Sequence, residues 1–170
     1  KSSVGSNFNN SNNHPIRAGE IIGVHNGTLT NHETVFKKLD CERDGTVDSE
    51  AIMRLLQVYT KNCTEPFTVE MLSSVACHLD GAFSVIAFNA NNPYQVALMR
   101  KQRPLEIIII KSLKLMVIVS EKVFFDKAVH AFNKYARLYK SGFSVIEKKD
   151  VEHVMLPLDN VAVIDLTVDM

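Results

Sequence analysis

His25-Asn26-Gly27 and Asp48-Ser49-Glu50 are the residue groups of this chain best equipped for chemistry. A side-chain amide on Asn26 and a backbone N–H at Gly27 would give two donors. Attack on an amide carbonyl creates an oxyanion, and its donors must be in place before the charge develops. Glycine also lets a backbone approach a substrate closely. The same tripeptide reads equally as the tight turn of a β-hairpin over residues 20–30, which needs no catalytic role. Asp48, at a loop-to-helix junction, is a carboxylate that could pair with an α-ammonium group. Such a charge-assisted contact selects an amino acid over a simple amide. Asp48 or Ser49 could also cap the helix, and capping and binding can coexist. Glu50 falls in the first helical turn, where the helix dipole favours a carboxylate.

Other residues offer less. Asn13-His14-Pro15 fits a turn leading into a strand, and Ser2, Ser3 and Gly5 fit a polar tail. His14 and His25 are not at a helical ligand spacing, and no Cys, Asp or Glu set completes a zinc site, so no metal is expected. Neither a phosphate-cradling loop nor a dinucleotide fingerprint is present, and no cofactor is expected. Phe83, Phe88 and the run Ile107–Ile110 are core candidates.

Those groups need elements to hold them. Asn31 can cap a short helix through Val35, Phe36 and Leu39. A second helix places Ile52, Leu55, Leu56 and Tyr59 on one face. Thr68 can cap a third, with Met71, Leu72, Val75, Ala76 and Leu79 as its stripe, ending at Asp80-Gly81. Residues 82–89, 94–100, 105–110 and 113–119 are rich in Val, Ile, Phe and Leu and read as a meander of antiparallel strands. Residues 121–132 return to helical spacing, and 143–146, 153–156 and 160–164 read as closing strands. Helices grouped together and strands grouped together imply an α+β domain. Same-parity residues Ile22, Val24, Val85, Ala87, Ile108, Ile110, Val117 and Val119 are expected between two sheets.

The 170 residues suffice for one domain with a substantial core. Lys plus Arg equals Asp plus Glu at 19 each, so no charge bias points to nucleic acid. The longest apolar run is too short to span a bilayer, and residues 1–13 are polar rather than signal-like. Cys41, Cys63 and Cys77 fit free thiols, and a cytoplasmic location is expected.

The succession is more specific than its parts. An Asn-x-His-Pro-like loop is followed by a strand, His-Asn-Gly, Asn31, and Asp-Ser-Glu at the next helix. Leu79-Asp80-Gly81-Ala82-Phe83-Ser84 then enters a strand, and Arg103-Pro104-Leu105 and Val117-Ile118-Val119-Ser120-Glu121 follow. Over roughly residues 1–130 this order resembles class II glutamine amidotransferase domains, above all the glutaminase domain of glutamine–fructose-6-phosphate aminotransferases. The resemblance implies the N-terminal-nucleophile hydrolase fold, a four-layer αββα sandwich of two antiparallel sheets. It implies hydrolysis of L-glutamine to glutamate and ammonia through a cysteine thioester. The ammonia would pass to a synthase or transferase partner, with amino-sugar synthesis as one such use.

Carried over by residue, Asn26 and Gly27 match the oxyanion hole, and Asp48 matches the binder of the glutamine α-amino group. Ser3 stands where the family commonly has a threonine near substrate, and Val4 where it has a histidine. The family's nucleophile is a cysteine at the first residue of the mature chain, and its free α-amino group accepts the proton. Lys1 stands first here, and Cys41, Cys63 and Cys77 are internal. The expectation is therefore that residues 1–170 form the C-terminal portion of such a domain, incomplete at its N-terminus and inactive alone. An inactive glutamine-binding or regulatory domain of the same fold is the alternative.

Overall fold

The computed structural model describes residues 8–139 and 144–168. It contains two antiparallel sheets and four helices, an α+β chain, and divides into two units: residues 1–103 with 158–169, and residues 104–157.

The first unit is built on five strands. β1 (Ile16–Ala18), β2 (Ile21–Leu29), β3 (Gly81–Asn89), β4 (Asn92–Lys101) and β8 (Asn160–Asp165) lie side by side in that order, all antiparallel. Side chains alternate across a strand. Ile21 and Leu29 of β2, Phe83, Val85 and Ala87 of β3, and Ala97 and Met99 of β4 share one face. On that face lie α1 (His32–Leu39), α2 (Asp48–Tyr59) and α3 (Val69–Cys77), joined to it in one apolar core through Phe36, Ile52, Leu56, Leu72 and Val75.

Of the three expected helix caps, that of α3 forms. Thr68 precedes α3 and its hydroxyl accepts the Met71 N–H at 3.2 Å. Asn31 occupies the N-cap position of α1 but its side chain turns elsewhere, accepting the Asp80 N–H at 3.0 Å and donating to the His78 carbonyl at 2.9 Å. It ties α1 to the segment entering β3. Val47, not Asp48 or Ser49, is the N-cap residue of α2. Both polar residues are turned into buried contacts instead.

In the second unit, β6 (Leu115–Val119), β5 (Glu106–Ile110) and β7 (Val151–Met155) form an antiparallel sheet in that order. Ile108 and Ile110 pack with Phe125 of α4 (Lys122–Tyr139), and Val117, Val119, Val129, Ile146 and Val151 close around them. The expected strand at 143–146 is not formed over 144–146, and Phe143 lies outside the described residues. Asn133 takes both backbone groups of Ile146, at 2.8 and 2.9 Å, so this segment is tied to α4 rather than to a neighbouring strand.

The expected meander is broken. After β4 the chain leaves the first sheet, and β8 returns to pair with β4, Arg100 opposite Asn160. The proposed inter-sheet set also divides differently. Val85 and Ala87 point to the helical face of the first sheet, and Ile108, Ile110, Val117 and Val119 pack with α4. Ile22 and Val24 lie on the opposite face of β2 from Ile21, half-buried and exposed respectively. Parity within a strand decides which residues share a face. It does not decide which face meets the helices.

Candidate functional site

Asn26-Gly27 is not a turn. Both residues lie inside β2, with Asn26 opposite Ser84 and Gly27 opposite Phe83. The hairpin sits earlier, between β1 and β2, where Gly19 adopts φ +57°. Gly27 has φ +143°, and a Cβ there would lie 2.0 Å from the Ala82 carbonyl oxygen. Glycine is required by the close approach of two strands, a demand that a propensity scale reads as a turn.

Alternation then separates His25 from Asn26. His25 is buried on the helical face and Asn26 is exposed on the other. Against His25 stands the first turn of α2. Asp48 is buried, and its Oδ2 accepts the Leu29 N–H at 2.8 Å, next but one along β2 from Gly27. Its Oδ1 lies 3.9 Å from His25 Nδ1. Thus the carboxylate is fixed to the backbone of the strand that carries Asn26 and Gly27. Ser3 and Val4 lie outside the described residues.

Two polar contributions were not legible in the sequence. Ser49 is buried, and its hydroxyl meets His25 Nδ1 at 2.9 Å and His14 Nε2 at 3.2 Å. Three residues far apart in the chain meet at one oxygen, so no spacing rule could have flagged them. Glu50 is 1% exposed and does more than sit near a helix dipole. Its carboxylate accepts the Asp44 and Gly45 N–H groups, each at 2.8 Å, and pairs with Arg54 at 3.2 Å. Nearby, Asn12 Oδ1 accepts the Thr46 N–H at 2.7 Å and Asn12 Nδ2 donates to Thr46 Oγ1 at 3.0 Å. The loop before β1 and the loop before α2 are in this way joined around Asp48.

Burial holds His25 at about 4, well below its ordinary 6.5; the Asp48 charge pulls it up and neighbouring His14 pushes it down. Partial desolvation lowers His14 too, against the pull of Asp48. Between pH 6.5 and 4 the unfolded chain binds a proton at this position that the folded chain refuses, so stability falls as pH falls through that window. A displacement of this size is worth about 3 kcal/mol at most. Denaturant titrations at pH 7 and pH 4.5 should show that loss, and His25→Asn should flatten the dependence. An unchanged slope in His25→Asn would assign the loss to other groups.

Among the described residues no helix is long and apolar enough to cross a membrane, and no three His, Cys, Asp or Glu side chains gather as metal ligands.

No family model matches the chain. Similar proteins include the glutamine–fructose-6-phosphate aminotransferase of Vibrio vulnificus, 28% identical over 99 residues, covering 56% of this chain and 16% of that protein. That of Buchnera aphidicola is 25% identical over 143 residues, covering 82% of this chain and 22% of that protein. The second human form is 31% identical over 104 residues, covering 56% and 15%. The chain thus spans only about a sixth to a fifth of the length of these relatives. Among solved structures, glutamine phosphoribosylpyrophosphate amidotransferase from B. subtilis aligns with a TM-score of 0.57 at 16% identity, over 92% of this chain and 32% of that one. An allosteric regulatory enzyme of purine biosynthesis aligns at 0.54 and 20% identity, over 68% and 25%. The chain resembles the glutaminase domain of class II glutamine amidotransferases in sequence, and its two antiparallel sheets and four helices have the N-terminal-nucleophile hydrolase fold.

Proposed function

We propose that residues 1–170 are the C-terminal portion of a class II glutamine amidotransferase domain that hydrolyses L-glutamine to glutamate and ammonia. One observation carries this reading: the Asp48 carboxylate is anchored to the same strand that bears Asn26 and Gly27. A cysteine thiolate at the mature N-terminus attacks the side-chain carbonyl carbon of glutamine. The carbonyl electrons move onto oxygen, where the Asn26 amide and the Gly27 N–H receive them. The C–N bond then breaks, the leaving nitrogen takes a proton from the nucleophile's own α-ammonium, and ammonia departs. Water hydrolyses the γ-glutamyl thioester to glutamate and restores the thiol. Asp48 holds the α-ammonium of the substrate, and the Ser3 hydroxyl adds a substrate contact. The ammonia goes to a synthase or transferase partner, amino-sugar formation being one such reaction.

A second reading keeps the fold and glutamine binding without hydrolysis. Val4, where the resemblance leads one to expect histidine, favours it.

Asp48→Asn tests the recognition step. Asparagine retains an oxygen for the Leu29 N–H, so stability should change little. Removal of the charge should weaken binding of glutamine by about 1.5–3 kcal/mol, the value of a charged hydrogen bond. Calorimetry on the full-length protein, with glutamine and its des-amino analogue, measures this. The loss should appear for glutamine alone. Equal losses for both ligands would mean that Asp48 acts through the fold.

A further inference from the structure

The hydroxyl of Ser49 is shared by two imidazoles and carries only one hydrogen. His25 Nδ1 stands 2.9 Å from it and His14 Nε2 3.2 Å. With both rings neutral, that hydrogen can go to at most one of the two nitrogens, while the oxygen can accept from either. Asp48 decides the direction. Its Oδ1 is 3.9 Å from His25 Nδ1, so an N–H there is attracted and a lone pair repelled. His25 Nδ1 therefore donates to Ser49 Oγ, which leaves the Ser49 hydrogen free for His14 Nε2.

The far side of the ring agrees. His25 Nε2 is buried and, among the described residues, meets no hydrogen-bond partner. The Phe83 ring lies edge-on to the imidazole at 6.5 Å between centroids. An unpaired acceptor is tolerated in such a place better than an unpaired N–H. Leaving Nε2 without a proton puts the hydrogen on Nδ1, where Ser49 can take it.

We propose that His25, Ser49 and His14 form a directional hydrogen-bond chain whose task is to position Asp48 and leave its charge free for the substrate ammonium. This rests on the glutamine reading. A protonated His25 would pair with Asp48 and consume the charge that glutamine must meet. Locked as a neutral ring, His25 instead turns a weak N–H dipole toward the carboxylate while Leu29 holds its other oxygen. These are positioning residues, and none touches the reacting carbon.

The experiment has two arms. Imidazole ¹⁵N NMR of the 170-residue chain near pH 7 should find His25 protonated on Nδ1 and bare on Nε2, and His14 bare on Nε2. In parallel, equilibrium binding of L-glutamine to the full-length protein is measured for Ser49→Ala, Ser49→Thr and Asp48→Asn. Ser49→Ala should weaken binding about tenfold, and Ser49→Thr, which keeps the hydroxyl, should restore it. A His25 ring protonated on Nε2 overturns the chain. So does unchanged binding in Ser49→Ala while Asp48→Asn still weakens it, an outcome that leaves the glutamine reading standing. Unchanged binding in Asp48→Asn overturns the glutamine reading, and the positioning role with it.

Discussion

Asn26→Ala, in a glutaminase led by a nucleophilic cysteine and built on this chain, should lower kcat by about 10²–10³ with far less change in KM. The reason is differential. In the proposed mechanism the Asn26 amide meets full negative charge only while the tetrahedral intermediate exists, so its removal should cost little in the ground state. Asn26 is exposed within β2, on the face away from the helices. Its truncation should therefore leave the melting temperature within a few degrees. Steady-state kinetics on wild type and variant, with thermal melts of both, measure the effect. An unchanged kcat would reduce His25-Asn26-Gly27 to a piece of strand.

Gly27→Ala should strongly destabilise the first unit. The added Cβ would sit 2.0 Å from the Ala82 carbonyl oxygen and 2.7 Å from Phe83 Cα. Both are backbone atoms of the paired strand, so no rotamer change can relieve the clash. The φ of +143° adds strain for any side chain. Together these place the cost at about 4 kcal/mol or more, in the range reserved for specific structural failures. Gly19→Ala is the comparison. There the Cβ would meet the Gln57 side-chain amide at 2.8 Å, a flexible group that can move. Its left-handed φ still costs about 1 kcal/mol. Urea titrations of both variants measure the difference. Equal losses would show that β2 and β3 can part at Gly27 without penalty.

What the sequence revealed depended on how local the cause was. Thr68, three residues before the Met71 N–H it receives, was legible as a cap. So were the apolar stripes of α2 and α3, because helical periodicity lies in neighbouring residues. Asn26-Gly27 misled because an Asn-Gly pair favours a turn locally, whereas here the glycine answers a demand from Ala82 across the sheet. Asp48 was legible as a candidate carboxylate by its place in a motif. Its anchor at Leu29 was not, since nothing in the sequence of α2 says which strand its first turn will meet. The Ser49 junction was invisible for the same reason in stronger form: its partners come from the loop before β1 and from β2. Likewise, α4 continues to Tyr139, beyond the expected end at residue 132. Asn133 interrupts the apolar pattern there but is spent on Ile146.

The return of β8 to β4 has a kinetic meaning. Arg100 and Asn160 face each other across an antiparallel pair, yet about 60 residues separate them, and closing a flexible loop of that length carries a substantial entropic cost. If residues 104–157 fold first, through the local pairing of β5 with β6 and the packing of α4, that long loop becomes a compact body attached at two neighbouring points. The nascent chain would then make its last sheet contact late, after the intervening unit has emerged and ordered. Until that moment β4 would present a bare strand edge, which only the arrival of β8 covers.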